Sequence, residues 1–559
     1  MFNYYALTNE NQPAIINRSL KKAFKYSVAT VIIIWRFILK NVKSSARIID
    51  WPVFLISGGL LLLFVIIGLV NQDIVTKMVD SSFAFSVKYF GGIYQIVLLG
   101  TFLISLVLGF SKYGKIKLGK MEKPEISTFK WISIIMCTLL AAGGVFWAAA
   151  EPLSHFMEVP PHSPGVENGT HEAAITALAA SFVDWGFLAW AILGTLGTIV
   201  LMYAHYHKGA PLKPRALLYP FFGDKIMKNS ILGTFVDVFS IISVAAGTIG
   251  PIGFLGLQAS YAMSELFHMS DVLVIQIMIV VLLVAVAAIS AATGIHKGIQ
   301  VLSSFNVILA LFLILAILVL GPALFVFNSY IEAFATYVQN FFTFSTYHGD
   351  ETWLSGWTIF FFAWFIGYGP MMVIFVARIS RGRTVRQLVT AVSVIAPVIA
   401  TFWFTVVGGT GIFQEILKPG SVSEALSQNG PPAAMIAITD QLPFGFIFGV
   451  LFLLATVIFV LTTTDSMSLT ISMAITGDGN PSKYLRVFWA LLMGAVATIL
   501  LTIGEDGVDS LQSFIVVTAV PVSLLMLTTF YTAPYACKQM TIEQGIIESE
   551  DKEKKTKSA

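Results

Sequence analysis

The chain has 559 residues, 56% hydrophobic and only 12% charged, with a net charge of +3 and a mean hydropathy of +0.81. A water-soluble globule carries about twice that charged fraction, so soluble enzymes and nucleic-acid-binding proteins are excluded and an all-α polytopic membrane protein is implied. The two cysteines, Cys137 inside an apolar segment and Cys537 near the last one, offer no plausible disulfide or metal framework.

Residues 1–50 read as a cytoplasmic, basic N-terminal segment. The chain begins with a polar stretch, and its first basic cluster is followed by no small-residue cleavage site, so no signal peptide is evident. Arg18 to Arg47 holds eight basic residues and no acidic one, around an apolar run at 28–39. That run is too short to span a bilayer. It fits either an interfacial helix on an anionic leaflet or a basic tail that sets topology.

Twelve apolar segments follow, at 51–70, 92–110, 131–150, 173–203, 232–263, 272–292, 301–326, 357–377, 388–413, 444–475, 487–503 and 511–535. With both termini inside, only Lys77, Lys88 and Lys418 of the 34 Lys and Arg face outward, which is the bias expected of cytoplasmic loops. The reading is therefore a multi-pass cell-membrane protein of twelve spans, with membrane lipid around domain 51–535. Between the seventh and eighth spans, residues 328–346 are aromatic-rich and too short to cross, which suits a helix lying along the outer surface. Residues 536–559 mix acids and lysines and read as a disordered cytoplasmic tail.

Motifs for enzyme chemistry are weak. Residues 114–120, Gly-Lys-Ile-Lys-Leu-Gly-Lys, nearly spell a phosphate-binding loop, but Met121 replaces the required Ser or Thr and no strand precedes it. A lysine-rich cytoplasmic loop is the better reading. His155, His162 and His171 in one outer loop, and His205 with His207 at a helix end, lack metal spacing and are expected to be solvated.

The eighth segment runs from Trp357 into an arginine cluster ending at Arg386. Phe361, Trp364, Phe365 and Tyr368 recur at i, i+3, i+4 and i+7, so they share one helix face. That face is either plain packing surface or a binding wall. The Gly367-Tyr368-Gly369-Pro370 run predicts opened backbone, which a bilayer tolerates only against protein or a water-filled cavity. In the fourth segment Asp184 is an acid deep in an apolar run, beside Trp185 and near Trp190. Such an acid calls for a named partner. Two are open, a cationic ligand or a hydroxyl on a neighbouring helix.

The stretch from Trp364 to Thr384, above all 377–384, Ala-Arg-Ile-Ser-Arg-Gly-Arg-Thr, resembles the eighth transmembrane helix and following loop of the betaine/choline/carnitine transporter family. Asp184-Trp185 with Ala189-Trp190-Ala191, and Trp403-Phe404 with Gly408-Gly409-Thr410, match the same family. The resemblance implies a LeuT-like fold of inverted five-helix repeats, spans 3–7 and 8–12, after two N-terminal spans. It also implies a homotrimer with no enzymatic activity and no organic cofactor. The substrate class would be a quaternary ammonium compound or similar zwitterion, such as glycine betaine, choline or carnitine. Trp185, Trp190, Phe361, Trp364, Phe365 and Tyr368 would then form an aromatic cage, with Leu193 and Phe365 departing from the betaine carriers' pattern.

The resemblance also implies a coupling ion. Carried over residue by residue, a sodium site of the family falls on Cys137, Leu140, Phe459, Thr462 and Thr463. A second falls on Val244, Thr248 and Met371, of which only Thr248 keeps a suitable group. Proton-coupled relatives carry an aspartate where this chain has Gly143, so sodium symport is expected, with sodium-independent exchange as the alternative.

Overall fold

The computed structural model describes residues 49–140, 143–228, 230–293, 296–477, 481–503 and 507–546. The expected interfacial helix within 1–48 and the end of the C-terminal tail lie outside them. Among the described residues the chain is almost wholly helical, and the extended pairing is one isolated antiparallel bridge, Lys117 with Thr384. Ten helical stretches among the described residues are long and apolar enough to cross a membrane. A bent pair, Ser304–Leu320 with Ala323–Gln339, makes an eleventh if it counts as one span.

Helix α1 (Trp51–Val70) carries proline in its first turn, where a missing N–H removes no intrahelical bond. It ends at Asn71, whose side chain accepts from the Ile74 amide and so starts α2 (Gln72–Phe110). The third apolar segment carries α3 (Thr128–Leu140) and α4 (Gly143–Met157), on either side of residues 141–142. The fourth is broken into α5 (His171–Trp185), α6 (Phe187–Gly194) and α7 (Leu196–Met202). The first of these breaks needs glycine, because a Cβ at Gly186 would stand 2.2 Å from the Phe182 carbonyl oxygen and 2.9 Å from the Tyr337 hydroxyl.

Next come α8 (Ile231–Phe267), α9 (Leu273–Thr293), α10 (His296–Leu320) and α11 (Ala323–Gln339). α11 turns by 108° from the preceding helix at Gly321-Pro322. It buries Val326, Ser329, Ala333 and Tyr337 against the bundle and leaves Leu324, Phe327 and Ile331 exposed. The surface-type helix expected at 328–346 thus begins earlier, at the proline that sets the corner.

Beyond it lie α12 (Glu351–Gly356), α13 (Thr358–Ile379), α14 (Val385–Thr390), α15 (Ala396–Leu417), α16 (Gly445–Thr476), α17 (Lys483–Leu501), α18 (Gly507–Leu527) and α19 (Thr529–Glu543). α13 is the buried centre, packed against α6, α8 and α18. It is continuous through Gly367 to Pro370, so the opened backbone expected there is absent. The glycines serve close packing instead: a Cβ on Gly367 would lie 2.5 Å from the Ser243 hydroxyl oxygen. The break falls at Trp357, ahead of the helix.

The arginine cluster ties one end of the bundle together. Leu118 N donates to Arg383 O and Gly382 N to Leu118 O, both at 2.8 Å, so the lysine-rich loop is stitched to the arginine loop. Trp131 Nε1 donates to Ser380 Oγ at 3.0 Å, and the Arg383 guanidinium lies 4.6 Å above the Trp131 ring. α19 extends the helix past the expected start of the tail. Cys537, Met540 and Thr541 are buried there, and Glu543 pairs with His207 and, at 3.0 Å, Lys208.

Candidate functional site

Trp185 closes α5 at the Gly186 break, which turns its indole toward α13. There Phe361, Trp364 and Phe365 share a face, as their spacing predicts. Trp185 meets Phe361 and Phe365 edge-on at 5.3 Å and Trp364 at 6.1 Å, while Phe404 of α15 lies at 5.0 Å. Edge-to-face rings at these separations attract through their quadrupoles and keep one another's faces fixed. All five side chains are buried.

Two indole N–H groups are anchored by partners outside the ring cluster. Trp364 Nε1 donates to the Gly247 carbonyl at 3.0 Å. A Cβ on Gly247 would overlap the Tyr368 ring at 2.4 Å, so this close approach requires glycine. Trp185 Nε1 donates to Glu151 Oε2 at 2.7 Å. Trp147 extends the wall, 5.2 Å from Phe361, and Phe254 lies 6.0 Å from Trp364.

Of the expected cage residues, the fold brings Trp185, Phe361, Trp364 and Phe365 together. Tyr368 sits one turn further along α13 and uses its hydroxyl on Thr248 at 3.2 Å. Trp190 is buried, and its Nε1 donates to the Trp185 carbonyl at 3.1 Å, which braces the broken helix. Asp184 is fully buried, with the Thr358 hydroxyl as one partner and Oδ1 without any.

The histidine expectations need correction. α4 runs on through Met157, so His155 remains on the helix, fully buried and 4.5 Å from the Trp357 ring. His162 is also buried, 4.0 Å from Phe344, and burial pushes its imidazole pKa down to about 4. His171 alone of that group is strongly exposed, paired with Glu332 at 3.0 Å. Sequence reasoning also passed over Phe404 and Glu151 as site residues. The signal for Glu151 was an acid before a proline at the end of an apolar run.

The sodium-site residues fall on α3 and α16. Cys137 and Leu140 lie on α3. The side chains of Cys137 and Leu140 lie outside the described residues. On α16, Thr462 Oγ1 donates to Ile458 O at 2.8 Å, whereas Thr463 Oγ1 is buried without a partner. Oxygen donors of these kinds fit a hard monovalent cation. At the second position Thr248 Oγ1 is already engaged by Val244 O and Tyr368, and Val244 and Met371 are fully buried.

A bundle of apolar helices, broken where aromatic side chains converge, is the architecture of a membrane carrier. The chain belongs to the betaine/carnitine/choline family of transporters, whose family model matches residues 52–542. It is therefore a multi-pass membrane transporter and not an enzyme. It is 51% identical over 496 residues to glycine betaine transporter 2 of Vibrio parahaemolyticus, covering 89% of this chain and 92% of that protein. It is 32% identical over 481 residues to the ectoine/hydroxyectoine transporter of Virgibacillus pantothenticus, covering 85% and 94%. Identity to the glycine betaine transporter OpuD of Bacillus subtilis is 30% over 504 residues, covering 88% and 94%.

Proposed function

We propose that this protein is a secondary active importer of glycine betaine or a closely related trimethylammonium zwitterion, driven by sodium. The observation that carries the reading is the buried box of Trp185, Phe361, Trp364 and Phe365. A quaternary ammonium head has no N–H to donate, so hydrogen-bond acceptors cannot recognise it conventionally. Aromatic faces do, at up to about 2 kcal/mol per desolvated contact. The similarity to two glycine betaine transporters supports the same substrate class.

In this reading the chain spans the membrane twelve times with both termini cytoplasmic. It repeats spans 3–7 as spans 8–12 with inverted topology, and assembles as a homotrimer. Sodium binds between backbone carbonyls of α3, at Cys137 and Leu140, and the hydroxyls of Thr462 and Thr463. Each cation moved inward gains about 2.3 kcal/mol per 100 mV of membrane potential. The test is uptake into proteoliposomes of glycine betaine, choline, carnitine, ectoine and proline, with sodium, potassium and proton gradients imposed separately. Glycine betaine accumulation that follows sodium alone is expected. Accumulation without sodium, or none of any trimethylammonium compound, overturns the proposal.

A further inference from the structure

Beside the aromatic box stands a second constellation that ammonium recognition does not use. Glu151 and His155 are one turn apart on α4, so both project to the same side, and Asp184 reaches them from α5. One ligand atom from each of the three lies within 4.8 Å of the others. Glu151 Oε1, His155 Nε2 and Asp184 Oδ1 have no hydrogen-bond partner, and all three side chains are at most 1% exposed.

Two buried carboxylates are costly unless a cation offsets them. Among the described residues no Lys or Arg forms an ion pair with either one. The near neighbour is His155, whose Nε2 stands 3.9 Å from Glu151 Oε1, too far for a hydrogen bond. A sodium ion favours an all-oxygen shell and has little use for the imidazole. A proton shared between the carboxylates would satisfy neither His155 Nε2 nor the second negative charge. A divalent ion bound by nitrogen and oxygen answers all three free atoms and both charges at once.

We propose that Glu151, His155 and Asp184 form a binding site for one divalent first-row transition ion of the zinc class. One imidazole and two carboxylates are a donor set such ions accept, with a fourth position left for water. Metal–ligand bonds of about 2.1 Å in a tetrahedral arrangement set donors about 3.4 Å apart. The 3.9 Å between His155 and Glu151 therefore closes by about half an ångström on binding, and the Asp184 oxygen, within 4.8 Å of both, by up to about 1.4 Å, both within reach of side-chain rotation. The ion would tie α4 to α5 at the carboxylate that already holds the Trp185 indole, and so brace one wall of the box.

The test uses the full purified chain in detergent, stripped with a chelator and titrated with Co2+ as a spectroscopic probe, followed by Zn2+ competition. One Co2+ per chain with a ligand-field band, displaced by one Zn2+, is expected. Binding should weaken at least tenfold in His155→Asn, in Asp184→Asn and in the isosteric Glu151→Gln, each first shown to melt as the wild type does. No stoichiometric binding to the wild type, or equal binding by all four proteins, overturns the site. So does an infrared acid-carbonyl band that persists at saturating Co2+ and vanishes in the Glu151→Gln/Asp184→Asn double variant, since that assigns the pair to a shared proton. No organic substrate enters the assay, so its failure leaves the uptake result untouched.

Discussion

Trp185 Nε1 hangs on Glu151 Oε2 at 2.7 Å, a bond between two fully buried side chains on different helices. It fixes which face the indole turns to the box. Glu151→Gln retains an acceptor of the same shape, whereas Glu151→Leu leaves a buried N–H unpaired, at about 1–3 kcal/mol. Glycine betaine affinity, read from Trp fluorescence or calorimetry, should therefore fall further in the leucine variant than in the glutamine variant. Equal losses would show that the bond does not orient the ring.

The box itself gives a graded expectation. Trp185→Ala and Trp364→Ala each remove a ring face and should weaken substrate binding by about 1–2 kcal/mol, in line with a lost cation–π contact. Trp190→Ala should cost less affinity and more stability, because its indole donates to the Trp185 carbonyl and makes no ring contact with the box. Binding isotherms on folded protein separate the three. Equal affinity losses would return Trp190 to the cage, and no loss in any would make the aromatic face plain packing.

The helix faces were legible because they depend on spacing alone. Phe361, Trp364 and Phe365 share a side whatever they pack against, and the fold places them together as their positions require. Trp190 is harder to place from spacing, because α5 ends at Trp185 and the break at Gly186 resets the helical phase in a way that one glycine in an apolar run does not announce. His155 was misjudged for the opposite reason. Glu151-Pro152 looks like a helix end, but this proline's ring fits within α4, which carries His155 back into the core. Gly367 and Gly369 looked like loosened backbone and are contact points, since small residues look alike whether a helix opens or another helix approaches closely.

Topology can be tested apart from substrate. The cytoplasmic assignment of the arginine loop rests on Arg378, Arg381, Arg383 and Arg386 facing an acidic opposite loop with no Lys or Arg. A reporter fused after Arg383 should face the cytoplasm, and one fused after Asp350 the outside. Both on one side would remove the inverted-repeat arrangement.

His162 provides a pH prediction outside the spans. Its folded pKa is pushed down to about 4 by burial, against 6.5 in an exposed imidazole. The unfolded state therefore binds more protons between these values, so stability is full above about pH 6.5 and falls as pH drops toward 4. Hydrogen-exchange protection in the loop at 158–170, taken relative to the intrinsic rate at each pH, should fall as pH drops through that window, and His162→Gln should flatten the dependence. An unchanged pH profile in the variant would move the effect to another group.

The coupling ion turns on two neighbouring threonines that the fold treats differently. Thr462 Oγ1 is occupied by the Ile458 carbonyl, while Thr463 Oγ1 is buried and without a partner. A buried hydroxyl normally finds one, and a cation held by backbone carbonyls of α3 would supply it. Thr463→Ala should then raise the sodium concentration needed for half-maximal uptake about tenfold, equivalent to ~1.4 kcal/mol. Thr463→Ser, which keeps the oxygen, should restore it. Thr462→Ala should act more weakly, since its hydroxyl is already engaged by its own helix. The measurement is glycine betaine uptake into proteoliposomes across a sodium titration at fixed membrane potential. An unchanged sodium requirement in Thr463→Ala, or failure of serine to rescue a loss, would place the ion elsewhere.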